Sequence, residues 1–213
     1  MKITKFGQCC LLVEVAGKRV LTDPGRFTVE QNAVRDIDLV LITHEHADHL
    51  HIDSLKEVLA HNPEAVVITN SGVAKLLDEA GIAYAVVEGR AAASPAGIAL
   101  EAYDGPHAEI YEQFGQVQNT GYFIADTLFY PGDAYTNPGR PVPVLALPVA
   151  GPWCKSADVI RYALEVRPGK AFPVHDWVLN DDGIAVTYGV LEANLSAYNI
   201  NFIRLGNSET MEF

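Results

Sequence analysis

Short apolar runs broken by turn-forming residues dominate the N-terminal part of the chain. Cys10–Val15 reads as a strand, Ala16-Gly17-Lys18 as a turn and Arg19–Asp23 as the returning strand, ended by Asp23-Pro24-Gly25. Asp38–Thr43 (Asp-Leu-Val-Leu-Ile-Thr) is apolar without alternation, the pattern of a strand covered on both faces. A helix is predicted soon after. Ser54 with Glu57 three residues on has the form of a capping box, and Leu55, Val58 and Leu59 share one helical face. Ala65–Thr69 is a second buried strand. Ser71–Ala80 is a second helix, with Val73, Leu76 and Leu77 inward and Gly81 as its stop.

The pattern then returns to short strands: Ala83–Val87, Ile98–Tyr103, Thr120–Ala125, Thr127–Tyr130 and Val142–Val149. Helix periodicity resumes at Ser156–Val166, followed by a strand at Lys170–Val174, a helix over Asp182–Tyr198 and a closing strand at Asn201–Leu205. Two similar halves result, each offering strands for a sheet and helices to cover it. The predicted fold class is therefore α/β (α+β), two mixed sheets packed on each other with helices on the outer faces. No repeat and no linker rich in Pro, Gly or Ser interrupts the chain, so residues 1–213 read as a single domain.

Composition narrows the functional classes. Hydrophobic residues make up 49% of the 213 residues, enough for a core without covalent staples. The net charge of −12 repels phosphate backbones, so nucleic acid is not an expected partner. No apolar run has the ~20 residues of a membrane span, and the N-terminal residues carry no apolar leader segment. Of the three cysteines, Cys9 and Cys10 are adjacent and on or beside a predicted strand, which favours a place in the core. With Cys154 they form no C-x-x-C pair, so no thiolate zinc site is visible. A cytoplasmic protein is expected, and an oligomer is compatible with this composition.

The chemistry concentrates in Thr43-His44-Glu45-His46-Ala47-Asp48-His49-Leu50-His51, which holds four of the seven histidines. It contains H-x-H-x-D-H directly after a buried strand, where sites sit in layered α/β folds. In an extended segment His44 and His46 point to one side and can bind one ion. The turn that must follow presents Asp48 and His49 elsewhere, where a second ion can be held. Imidazole with carboxylate suits zinc, iron or manganese. Further ligands must come from outside the cluster. His107 and His175 each follow a predicted strand, His107 after a Gly-Pro turn, and Asp133 follows one in Tyr130-Pro131-Gly132-Asp133. Asp133 can be a turn aspartate or a carboxylate bridging two ions. His61, at the polar end of a helix, reads as solvated.

These residues resemble the metallo-beta-lactamase superfamily in its hydrolase form. The order and approximate spacing of the motifs match from Asp23 to His175, and within the superfamily the chain looks most like the compact members of the L-ascorbate-6-phosphate lactonase type. The resemblance implies a four-layer αββα sandwich with the site at one edge. It implies that His44, His46 and His107 hold one metal, that Asp48, His49 and His175 hold another, and that Asp133 bridges them. Asp23 would order loops near the site. His51 departs from the motif and is assigned outside the ligand set.

The expected activity is hydrolysis of a small ester, lactone or phosphoester by a hydroxide bridging two divalent ions, zinc first, with manganese or iron as alternatives. Asp48 and Asp133 are the expected catalytic carboxylates. The partner is then a small molecule, anionic if Arg26 faces it, with Tyr135, Trp153 and Trp177 as further pocket candidates. Three competing readings are a mono-iron dioxygenase on the same fold, a ribonuclease-like phosphodiesterase, which the negative charge opposes, and a non-catalytic ligand-binding protein that retains the metals.

Overall fold

In the computed structural model, which describes residues 1–213, the chain forms β1 (Lys2–Gly7), β2 (Cys10–Val15), β3 (Lys18–Thr22), β4 (Leu39–Leu41), α1 (Ile52–His61), β5 (Val66–Thr69), α2 (Ser71–Ala80), β6 (Ala85–Val86), β7 (Ala92–Ala93), β8 (Leu100–Pro106), β9 (Gln118–Ile124), β10 (Leu128–Tyr130), β11 (Val144–Pro148), α3 (Ser156–Val166), β12 (Lys170–Val174), α4 (Asp181–Leu195), β13 (Asn201–Phe202) and β14 (Glu209–Glu212). They make two seven-stranded sheets, ordered β14-β1-β2-β3-β4-β5-β6 and β13-β12-β11-β10-β9-β8-β7. Each is mixed: β3 to β6 are parallel and β14 to β3 antiparallel, and the second sheet repeats the arrangement with β10 to β13 parallel and β7 to β10 antiparallel.

Residue alternation along the strands sorts the side chains into layers. Leu11 and Val13 of β2, Leu39 and Leu41 of β4, Tyr122 and Ile124 of β9, and Val144 and Ala146 of β11 meet between the sheets. Leu12, Val40 and Ile42 face the other way, onto Leu55 and Val58 of α1 and Val73 and Leu77 of α2. Phe123, Leu145 and Leu147 pack on Val159 and Tyr162 of α3 and Tyr188 and Leu191 of α4. The result is the expected αββα sandwich, with strands at its centre buried on both sides, as the unbroken apolar run at Asp38–Thr43 foretold.

Strand direction sets where the chemistry falls. In the first sheet β1, β3, β4 and β5 point the same way; in the second, β8, β10 and β12 do. The segments leaving those ends carry Cys9, Asp23, His44–His49, Asn70, His107, Asp133 and His175, and they meet at one edge of the sandwich.

Several expectations change. β1 and β14 were not evident in the sequence. They pair along an edge that also brings the termini together, Phe213 N donating to Met1 O at 2.8 Å. Lys5 breaks the apolar face of β1, yet it is fully buried, because its ammonium pairs with the carboxylate of Asp176. β8 runs through Gly105 and Pro106 instead of stopping at Tyr103, so no turn separates it from His107. The capping box at Ser54 does not form: α1 begins two residues earlier, and its N-cap is His51, whose Nδ1 accepts from Ser54 N at 3.4 Å. Glu57 is drawn instead to Asn32 Nδ2 at 2.6 Å. No helix is long and apolar enough to cross a membrane.

Candidate metal centre

The loop after β4 is held rigid from below. Asp23, with no exposed surface, accepts hydrogen bonds from Thr43 N (2.8 Å), Thr43 Oγ1 (2.7 Å), His49 Nδ1 (2.6 Å) and the Tyr130 hydroxyl. Thr43 O receives the backbone N–H of Thr120 and the side-chain amide of Asn70, which ties the first sheet to the second at the site edge. Gly25 is required here, since a Cβ would sit 1.9 Å from Asp48 O. The chain turns back at once, with His49 and Leu50 N–H donating to His46 O.

These contacts fix the imidazole tautomers. The hydroxyl proton of Thr43 is committed to Asp23, so His44 Nδ1, 3.0 Å from Thr43 Oγ1, is the donor of that pair. His49 donates through Nδ1 to Asp23, and His107 through Nδ1 to Ala108 O at 2.7 Å. In all three Nδ1 is engaged as a donor, which leaves Nε2 as the atom that can face a cation. Those three Nε2 atoms, and that of His175, are buried and have no hydrogen-bond partner. His175 has a backbone φ of +61° and its N–H donates to Gln8 O at 2.9 Å, so the chain reverses sharply after β12.

Asp133 stands among them. Its Oδ2 lies 3.9 Å from His44 Nε2, 3.4 Å from His107 Nε2 and 2.9 Å from His175 Nε2, and its Oδ1 lies 3.1 Å from His49 Nε2. The carboxylate is aimed by Trp153 Nε1, which donates to Oδ2 at 3.2 Å, and its backbone by Asn119, whose Oδ1 accepts from Asp133 N at 3.0 Å. Gly132 permits that fit: φ is +65°, and a Cβ would come within 2.3 Å of Asn119 Oδ1. Asp48 Oδ2 lies 3.3 Å from His175 Nε2 and 3.6 Å from His49 Nε2, and accepts from Gln8 Nε2 at 2.8 Å.

The donors fall into two groups. His44, His46 and His107 form one; Cys9, His49, Asp133 and His175 form the other, each with its donor atoms within 4.8 Å of one another. Buried nitrogens without partners are rare in proteins. Several converging on one carboxylate are satisfied together by divalent cations, so the residues fit a metal centre.

The charges around the centre agree with this. Burial, with neighbouring His49, pushes the His44 imidazole well below its ordinary value and keeps it neutral. Burial also opposes charge on Asp133, but His175 and His49 outweigh it and hold the carboxylate ionised. Burial likewise disfavours charge on His49 and His175, yet Asp133 overrides it and raises both in the metal-free chain. Cation uptake must therefore displace protons. Zinc added to metal-free protein in weak buffer near pH 7 is expected to acidify the solution, and zinc retention to fall as the pH is lowered.

All seven residues expected as ligands lie at this edge, but six of them fall in the two donor groups: Asp48 stands beside His175 and His49 outside those groups, and Cys9 takes the fourth place in the second. The sequence expectation for His61 also holds: it is exposed at the end of α1, away from the centre. His51 serves as a helix cap. Arg26 is exposed, its guanidinium over the Phe27 ring, and Trp177, half exposed, stacks on the same ring at 4.4 Å. Trp153 is buried, with its ring against His107 and His175. Tyr135 packs edge-on to Trp153, and both line a cleft of about 550 Å³ that includes Ile110, Lys155 and Arg161. Sequence reasoning missed Cys9, Thr43, Asn70 and Asn119. None lies in a recognisable spacing; only tertiary contact gives them a role.

Two layers of helix around two mixed sheets, with a histidine and aspartate cage at the strand ends, define a class of metal-centred αββα sandwiches. The chain belongs to the beta-lactamase superfamily, whose domain model matches residues 2–175. It is 34% identical over 196 residues to Protein Rv0786c of Mycobacterium tuberculosis, covering 90% of this chain and 91% of that one. Over 78 residues, 34% of this chain and 33% of the other, it is 38% identical to a UPF0173 metal-dependent hydrolase of Flavobacterium johnsoniae. Among solved structures it superposes on Igni18, a metallo hydrolase from the archaeon Ignicoccus hospitalis, with a TM-score of 0.76 and 20% identity, covering 100% of this chain and 98% of that one.

Proposed function

We propose that this chain is a metal-dependent hydrolase whose single domain, residues 1–213, uses two divalent cations, zinc by preference, to cleave a small ester, lactone or phosphoester. The observation that carries the reading is the set of unpartnered Nε2 atoms of His44, His49, His107 and His175 directed around Asp133. His44, His46 and His107 would hold one cation, His49 and His175 the other with Asp48 beside them, and Asp133 would touch both. Bound cations supply an activated water at neutral pH and polarise the oxygen of the scissile group.

The chain's own residues supply the rest. Asp48, partly exposed and anchored by Gln8, would accept a hydrogen bond from a water held at the centre and orient it. Trp153 holds the Asp133 carboxylate where it would touch both cations and closes one side of the centre. Tyr135 and Trp153 wall the adjoining cleft, whose size suits a small molecule. Lys155, which has no ion pair with a neighbouring carboxylate, gives that wall one point for an anionic group, while Glu109, Asp158 and Glu165 line the rest of the cleft and Arg161 is paired with Asp158.

Turnover measured against a panel of lactones, carboxylic esters and phosphodiesters tests the reading. Activity on at least one member is expected, abolished by a chelator and restored by adding back zinc. A panel hydrolysed equally well by the chelated protein contradicts it.

A further inference from the structure

Cys9 is the one member of the second donor group that the sequence, through its place beside a predicted strand, assigns to the core. It is fully buried, as is its neighbour Cys10, but the two face opposite layers. Cys10 packs toward the helices over the first sheet. Cys9 faces the space between the sheets, at the floor of the centre. Its Sγ lies within 4.8 Å of donor atoms of His49, Asp133 and His175. In the same three residues, His49 Nε2, His175 Nε2 and Asp133 Oδ1 are buried and unpartnered.

The turn that carries Cys9 is fixed. Cys9 O accepts from Thr22 Oγ1 at 2.9 Å and lies 3.0 Å from the Tyr130 hydroxyl, whose proton goes to Asp23 beneath His49. The preceding residue joins the turn to the other half of the molecule. Gln8 O receives His175 N–H, and its side-chain amide bridges Asp48 and Trp177 N. The thiol is therefore placed by the same network that places His49 and His175.

We propose that Cys9 is a metal ligand, its thiolate completing a Cys9–His49–Asp133–His175 position. The proposal rests on the metal-centre reading above and adds the identity of a fourth donor. Donor atoms around one tetrahedral zinc stand roughly 3.3–3.8 Å apart, so a group within 4.8 Å closes on an ion with small movements. Binding breaks the S–H bond, the sulfur donates its lone pair to the cation, and the proton leaves to solvent; no oxidant is needed. A thiolate makes the position prefer zinc, cobalt or ferrous ion over manganese and magnesium, which favour oxygen donors.

Cobalt(II) alone is the probe. The full-length protein loaded with cobalt is expected to show visible d–d bands and, in addition, a near-ultraviolet thiolate-to-cobalt charge-transfer band. Cys9→Ser removes that band, while Cys10→Ser and Cys154→Ser retain it. X-ray absorption of the zinc-loaded, unsubstituted protein needs no variant: one sulfur scatterer at about 2.3 Å is expected beside nitrogen and oxygen at about 2.0–2.1 Å. Visible bands without the charge-transfer band, or a shell of nitrogen and oxygen only, overturn the thiolate ligand while leaving the metal centre intact. A charge-transfer band that survives in Cys9→Ser also overturns it. Failure to bind cobalt at all overturns both.

Discussion

Replacing Asp133 by alanine is expected to abolish stable binding of both cations at once and to lower hydrolysis by about three orders of magnitude or more. Its two oxygens approach His49, His175, His107 and His44, so no other single side chain serves both donor groups. Electrostatic groups at a reacting centre carry effects of roughly 10²–10³ each, and this residue supports two such groups. The fold should persist, because Asn119 still accepts from the backbone N–H of residue 133 and the strands around it are unchanged. The measurement is metal content with circular dichroism and a melting curve. Ligands that bind only the folded state raise its melting temperature, so zinc should stabilise the unsubstituted protein and leave Asp133→Ala unmoved. A variant that still binds zinc with undiminished stabilisation would remove Asp133 from its bridging role.

Asp23→Ala should act differently, on stability first. The carboxylate has no exposed surface and collects four donors from three residues: two from Thr43, one from His49 and one from Tyr130. Removing it leaves those donors buried without a partner, at a cost of about 3–5 kcal/mol. For a chain of this length that lowers the melting temperature by roughly 10 °C. His49 also loses the bond that directs its Nε2 to the centre, so zinc affinity should fall along with stability. Thermal denaturation of the metal-free protein isolates the first effect. An unchanged melting temperature there would mean that the network carries no weight.

What the sequence discloses here follows the strength of its periodic signals. The unbroken apolar run at Asp38–Thr43 locates β4, and H-x-H-x-D-H after it locates the centre, because both are local. His107, Asp133 and His175 are legible through their position after strands, once the first cluster demands more donors. β1 stays hidden because Lys5 occupies an inward position, and only Asp176, far along the chain, makes that burial tolerable. Ser54 misleads because His51, a residue of the metal-type motif, is the better-placed cap. Cys9 stays hidden for the same kind of reason: a buried cysteine beside a strand looks like core in any sequence. The arrival of His49, Asp133 and His175 around it is a property of the folded edge.

Crystals of the zinc-loaded protein measured on both sides of the zinc absorption edge put the central claim to its most direct test. Two anomalous peaks per chain are expected about 3.5–4 Å apart, one among His44, His46 and His107, the other against His49 and His175, with Asp133 between them. A chain that binds zinc stoichiometrically but shows its peaks elsewhere, or none at this edge, would contradict the account.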